Sequence, residues 1–151
     1  MDAVTYPDEK VADFITSRVI PLRVPSDHKT LAPSFNLKWT PTLITLDTQG
    51  KEHHRTVGFL GPEELVPSLL LGIGKTLFEL EEFGKAIETF DELLKNYPQS
   101  DSAPEAIYLR GVSLYKNTHD PKPLRAAYDR LNEAYPASEW TRRAYPYRLI
   151  N

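Results

Sequence analysis

Few side chains in this sequence could do chemistry, and one nucleophile is missing altogether. There is no cysteine, which removes disulfides, thiolate metal ligands and thiol nucleophiles together. Gly72-Ile73-Gly74-Lys75-Thr76 ends like a loop that cradles nucleotide phosphates. That motif needs another glycine five residues before its second one, on a loop after a strand. The position is Leu69, inside a leucine run, where a helix interior offers no free N–H groups to a phosphate. The histidines are His28, His53, His54 and His119. His53 and His54 are adjacent on a predicted strand, so they point to opposite faces and cannot share a metal ion; an exposed, solvated role is expected for both. Glu79, Glu81, Glu82, Glu88, Asp91 and Glu92 fall on helix faces as solvated surface. No Gly-x-Ser-x-Gly elbow occurs, and Arg142-Arg143 is too small a cluster for a nucleic-acid footprint. The expectation is a chain that is not an enzyme as it stands, with no catalytic residue, metal site or cofactor.

Bulk properties agree. The chain has 151 residues, 40% hydrophobic and 26% charged, with net charge −3. That length suits one ordinary domain or two small ones. The charge gives no drive toward nucleic acid or anionic lipid. The leucine run Leu69-Leu70-Leu71 is far too short to span a bilayer. The first residues lack the basic and apolar regions of a signal peptide, so a cytoplasmic location is expected, with no membrane and no nucleic-acid partner.

The elements that must position any functional surface meet in residues 61–98. Gly61-Pro62-Glu63-Glu64 is a helix start, with proline and acids in the first turn. Leu65, Leu69, Leu70, Ile73, Leu77 and Leu80 follow near helical spacing. The pattern breaks at Glu82-Phe83-Gly84 and resumes through Ala86, Ile87, Phe90, Leu93 and Leu94 to Tyr97-Pro98. Before it, Tyr6-Pro7-Asp8-Glu9 starts a helix with Val11, Phe14 and Ile15 on one face. Residues 19–24 are predicted as a short strand, apolar enough to be buried on both sides. A short helix with Leu31, Phe35 and Leu37 buried comes next. Residues 43–46 are a strand, Asp47-Thr48-Gln49-Gly50 a turn, and residues 51–59 the return strand of a hairpin. That return strand is predicted as an edge guarded by Lys51, His53, His54 and Arg55.

This order resembles the second half of a thioredoxin fold. The resemblance rests on Trp39-Thr40-Pro41-Thr42, then Asp47-Thr48-Gln49-Gly50, then Val57-Gly58 and Pro62-Glu63-Glu64, and covers roughly residues 1–70. It implies a cis bond at Pro41 and makes Thr40 and Pro41 a candidate docking loop. It also implies that the first strands and the Cys-x-x-Cys helix start of that family lie upstream of Met1. A central strand would then be missing, leaving unpaired edges that another copy of the chain could fill.

From Leu70 onward two helical hairpins repeat. Gly74, Leu77, Phe83, Ala86, Phe90, Leu93 and Pro98 are answered by Gly111, Leu114, Leu124, Tyr128, Leu131 and Pro136. The offset is 37 residues from Gly74 to Gly111 and 38 from Pro98 to Pro136. Tyr97-Pro98-Gln99-Ser100 recurs as Tyr135-Pro136-Ala137-Ser138. Gly74, Ala86 and Gly111 are small enough for close helix approach. Pro121 and Pro123 interrupt any continuous helix between the second pair. Ser138 caps a last helix. These residues resemble tetratricopeptide repeats, whose unit is about 34 residues, and the resemblance covers roughly residues 70–147.

The fold class expected is therefore α+β followed by all-α. An N-terminally incomplete thioredoxin-like unit occupies residues 1–69, and a tetratricopeptide array with capping helix occupies residues 70–151. The repeat resemblance implies a concave face showing Leu71, Lys75, Phe78 and Glu79 from the first unit. Tyr108, Val112, Tyr115 and Lys116 would come from the second. Aromatics beside charges suit peptide docking; the same residues could instead pack against the front part or the capping helix. The function expected is a protein–protein interaction module with a protein or peptide partner. The alternative is a fragment of a thiol–disulfide oxidoreductase whose cysteines lie upstream.

Overall fold

A computed structural model describes residues 1–151. Helix α1, Glu9–Arg18, starts as the sequence requires: the Asp8 carboxylate accepts the Val11 N–H, satisfying one of the orphan donors of the first turn. Val11 is fully buried, with Phe14 and Ile15 half-buried against the core. The Thr5 hydroxyl donates to the Leu60 carbonyl at 2.7 Å, tying the N-terminus to the loop that enters the main helix.

Residues 19–24 do not form the expected strand. The segment has no regular secondary structure and no strand beside it. Ile20 is 98% and Leu22 77% exposed. An apolar run becomes a strand only when its N–H and C=O groups find a ladder, and none lies alongside. Arg23 in this segment makes an exposed bidentate pair with Asp2 at 2.9 and 3.2 Å. The helix after Pro25 is only one turn, α2 at Leu31–Ser34, and Leu31, Phe35 and Leu37 are half-buried rather than buried.

Strands β1, Thr42–Leu46, and β2, Glu52–Val57, pair antiparallel as a two-stranded sheet. The turn is as read: Gly50 has φ +82°, the Gly50 N–H reaches the Asp47 carbonyl, and the Asp47 carboxylate accepts the N–H groups of Gln49 and Lys51. The register slips once. Thr45 pairs with His54 but Leu46 pairs with Glu52, so His53 is the extra residue of a β-bulge. The Thr40–Pro41 bond is cis, the isomer implied by the thioredoxin resemblance. Arg55 donates to the Phe35 carbonyl at 2.7 Å, holding the irregular α2 region to the hairpin.

Helix α3, Pro62–Glu79, packs on the hairpin and on α4, Phe83–Asn96. Then come α5, Ala103–Thr118, α6, Lys122–Ala134, α7, Glu139–Ala144, and a closing 3-10 turn, Tyr145–Leu149, which nothing in the sequence pattern announced. Each helix from α3 to α6 packs on the next. The repeated Tyr-Pro-x-Ser words fold alike. The N–H of Tyr97 reaches Leu93 and that of Tyr135 reaches Leu131, both at 2.8 Å, and Ser100 and Ser138 then reach back to the two tyrosine carbonyls. Ser138 caps α7 through the Trp140 N–H. One apolar core runs from Val11 through Leu65, Phe90 and Leu131 to Ala144. No helix is long and apolar enough to cross a membrane.

The small residues sit where helices touch. A Cβ on Gly74 would stand 2.3 Å from the ring of Phe90, which is itself fully buried. Gly74→Ala should therefore destabilise the fold by about 1–2 kcal/mol, overpacking outweighing the propensity gain of alanine. Gly84→Ala, in α4 with nothing within 4 Å of its Cβ, should be neutral or mildly stabilising. Urea denaturation of the two variants checks this; equal effects would contradict the packing argument.

Candidate functional site

Much of the surface expected of α3 and α5 is covered from within the chain. Leu71 is buried in the core. Lys75 forms an ion pair with Glu105 of α5 at 2.9 Å, both side chains at least three-quarters buried. Phe78 is half-buried and meets Phe83 edge-on at 5.6 Å between ring centroids. Glu79 accepts hydrogen bonds from the hairpin. Tyr108 lies between Trp140 and Tyr147, with centroids 5.3 and 5.9 Å away, and its hydroxyl meets that of Tyr147 at 3.1 Å. Burial, and then that hydroxyl contact, push the Tyr147 phenol above its ordinary value. Val112 is half-buried, and Tyr115 and Lys116 are exposed. So α3 gives its half of the face to the hairpin and to α5, and α7 takes Tyr108. Tyr115 and Lys116 are the two of these residues that no contact inside the chain covers.

Two histidines help hold the hairpin on α3, and both differ from the expectation. His53 is buried, its side chain 1% exposed. Its Nε2 lies 2.9 Å from Asp47 Oδ2 and its Nδ1 2.9 Å from Glu79 Oε2. The ring thus bridges the hairpin turn and the last turn of α3. Strand alternation would aim His53 away from its neighbour; the bulge re-aims it onto the end of α3. Glu79 is accordingly not simply solvated surface: Lys51 also donates to it at 3.2 Å. The hydrogen bond from His53, reinforced by the N–H groups of Lys51 and Gln49, holds the Asp47 carboxyl below its usual range. Burial works to raise the Glu79 carboxyl, but hydrogen bonds from Lys51 and His53 outweigh it and the net direction is down.

His54 packs on the middle of α3. Its Nε2 meets Ser68 Oγ at 3.3 Å and its Nδ1 meets Lys75 Nζ at 3.5 Å. An ammonium has only donors, so Nδ1 accepts and Nε2–H donates to Ser68. Burial, aided by the Lys75 charge, pushes the imidazole down to about 4. Asp91 and Glu92 likewise serve as cross-element partners, Asp91 to Arg110 and Glu92 to Arg18. No group of three or more His, Asp or Glu side chains is placed to hold a metal ion.

The Thr40–Pro41 loop forms a second surface. A shallow cavity of about 310 Å³ is lined by Ser26, Leu37, Lys38, Trp39 and Thr40. Trp39 is 68% exposed beside it, while the Thr42 hydroxyl donates to the Trp39 carbonyl at 2.6 Å. The thioredoxin resemblance singles out Thr40 and Pro41 here. It gives no sign that Trp39 stands free.

Residues 68–100 match the tetratricopeptide repeat family model. The match spans most of α3, all of α4 and the Tyr-Pro-x-Ser turn, and with the stacked helices around it supports the tetratricopeptide part of the chain. No curated protein and no solved structure matches.

His54 sets a pH dependence. Its imidazole is neutral in the fold down to about pH 4 but takes a proton near 6.5 when unfolded. Between those values the unfolded chain binds the extra proton, so stability rises with pH. The contribution is complete above about 6.5 and is lost as pH falls toward 4. It amounts to about 2–3 kcal/mol. Denaturant midpoints across this window should fall more steeply with acid for the wild type than for His54→Gln; parallel curves would contradict the burial argument.

Proposed function

We propose that the chain is a protein–protein interaction module in which a thioredoxin-like front part, residues 1–69, is fused to tetratricopeptide-type hairpins, residues 70–151. A tetratricopeptide repeat supports protein binding, because stacked helix pairs present an extended concave surface. The observation that carries the reading is that α5 and α6 continue the stacking beyond the matched residues. A groove therefore has more than one hairpin to form on. The thioredoxin-like reading draws support from the order α1, β1, β2, α3, from the Asp47–Gly50 turn, and from β2 packing on α3.

Within the proposed face, Leu71, Lys75, Phe78, Glu79 and Tyr108 are the supporting layer, each held by contacts inside the chain. Val112, Tyr115 and Lys116 are the residues that meet the partner: an aromatic and a cation beside an apolar floor suit a peptide with a hydrophobic side chain. Thr40 and Pro41, beside the Trp39 cavity, are a second proposed contact. A second copy of the chain is the proposed alternative occupant there, because β1 has no strand on its outer edge and an open edge invites pairing.

Panning a random peptide library on the full chain tests the reading. Enriched peptides should bind the wild type and lose about tenfold or more in affinity to Tyr115→Ala or Lys116→Glu. Failure to enrich any peptide, or binding indifferent to both variants, would overturn the assignment of this face.

A further inference from the structure

A second groove opens between α5 and α6, about a third of a turn round α5 from Tyr108, Val112 and Tyr115 at helical spacing. Its volume is about 360 Å³, at the lower end of the roughly 300–1,000 Å³ of ligand-binding clefts. It has an apolar floor of Ile107, Leu114, Pro123 and Ala127. Gly111 brings the two helices together there: a Cβ on it would meet the Ala127 Cβ at 2.7 Å and the Pro123 carbonyl oxygen at 3.1 Å.

The rim is cationic. Arg110, Lys122 and Arg130 line it against a single acid, Asp120. The Asp120 carboxylate is engaged by the Lys122 backbone N–H at 3.0 Å. Arg110 is shared with Asp91. Lys122 and Arg130 take part in no ion pair. In a chain of net charge −3, an apolar cleft rimmed by two unpaired cations is a local reversal of sign, the kind of field that selects an acidic partner.

We infer that this groove docks an acidic peptide with an apolar anchor residue, the anchor entering over Leu114 and Ala127 and the flanking carboxylates meeting Lys122 and Arg130. The cleft is sized for one or two side chains. Three cations, one already shared, are too few to track a phosphate backbone, and such a backbone has no apolar group for the floor. The site is separate from the Tyr115 face, so each can fail without the other.

The test uses the full chain and a fluorescein-labelled peptide, Asp-Glu-Asp-Phe-Leu-Glu-Asp, read by fluorescence anisotropy. Two companions replace Phe-Leu with Gly-Gly, or every acid with lysine. The acidic Phe-Leu peptide should bind saturably, and both companions should bind at least about tenfold more weakly. The double variant Lys122→Glu, Arg130→Glu should weaken the acidic peptide by at least about tenfold. Ala126→Trp should do the same by filling the cleft from an exposed position, with an unchanged circular-dichroism spectrum showing that it folds. Tyr115→Ala should leave this binding intact. Absence of binding, equal binding by the lysine peptide or the variants, or full displacement by a thymidine oligonucleotide would overturn the proposal.

Discussion

The structure depends on α3 having close neighbours on two sides at once. Gly72 and Gly74 are two residues apart and so face nearly opposite directions on a helix. A Cβ on Gly72 would stand 2.5 Å from Thr45 Oγ1 of the hairpin, and one on Gly74 would stand 2.3 Å from the Phe90 ring of α4. The Gly72-Ile73-Gly74 triplet, which resembles part of a phosphate loop, is instead the place where a β-hairpin and a helical array share one helix. Its glycines are there for close approach. Polar groups reinforce the same junction. His53 joins the hairpin turn to the last turn of α3, His54 leans on Ser68 and Lys75, and Lys75 passes the link to Glu105 of α5. No buried side-chain polar atom is left without a partner, as a junction built from such groups requires.

That arrangement has a consequence for binding. The inner face of a short array is open only where nothing in its own chain fills it. Here the hairpin covers the α3 side, and α7 with the 3-10 turn covers Tyr108, Trp140 tilted against its ring and Tyr147 stacked on it. What the array has left lies on α5 and α6: Tyr115 and Lys116 on one side, and the cation-rimmed cleft at Gly111 on the other.

The helical half was legible in the sequence because each of its devices is local. Proline and acids mark the start of α3, the two Tyr-Pro-x-Ser words mark repeated turns, and Gly74 and Gly111 mark the helix contacts. The front half was legible only where a turn dictated it, as at Asp47–Gly50. Residues 19–24 look like a buried strand by composition, yet Ile20 and Leu22 face solvent because a strand needs a partner that lies elsewhere in sequence. The burial of His53 could not be read either. A period of two places it opposite His54, and only the register slip after Thr45, invisible in composition, turns it onto Glu79. Of the face residues, Lys75 and Glu79 have their partners Glu105 and Lys51 30 and 28 positions away, beyond any local pattern.

The central claim is that hairpin and helical array are one cooperative body through α3. Native-state amide hydrogen exchange in low denaturant measures this directly, because each amide reports the free energy of the opening that exposes it. The account predicts that the hydrogen-bonded amides of β1 and β2 open with the same free energy and the same denaturant dependence as those of α3 and α4. Hairpin amides that exchange through a separate, much smaller opening while α3 stays protected would contradict it.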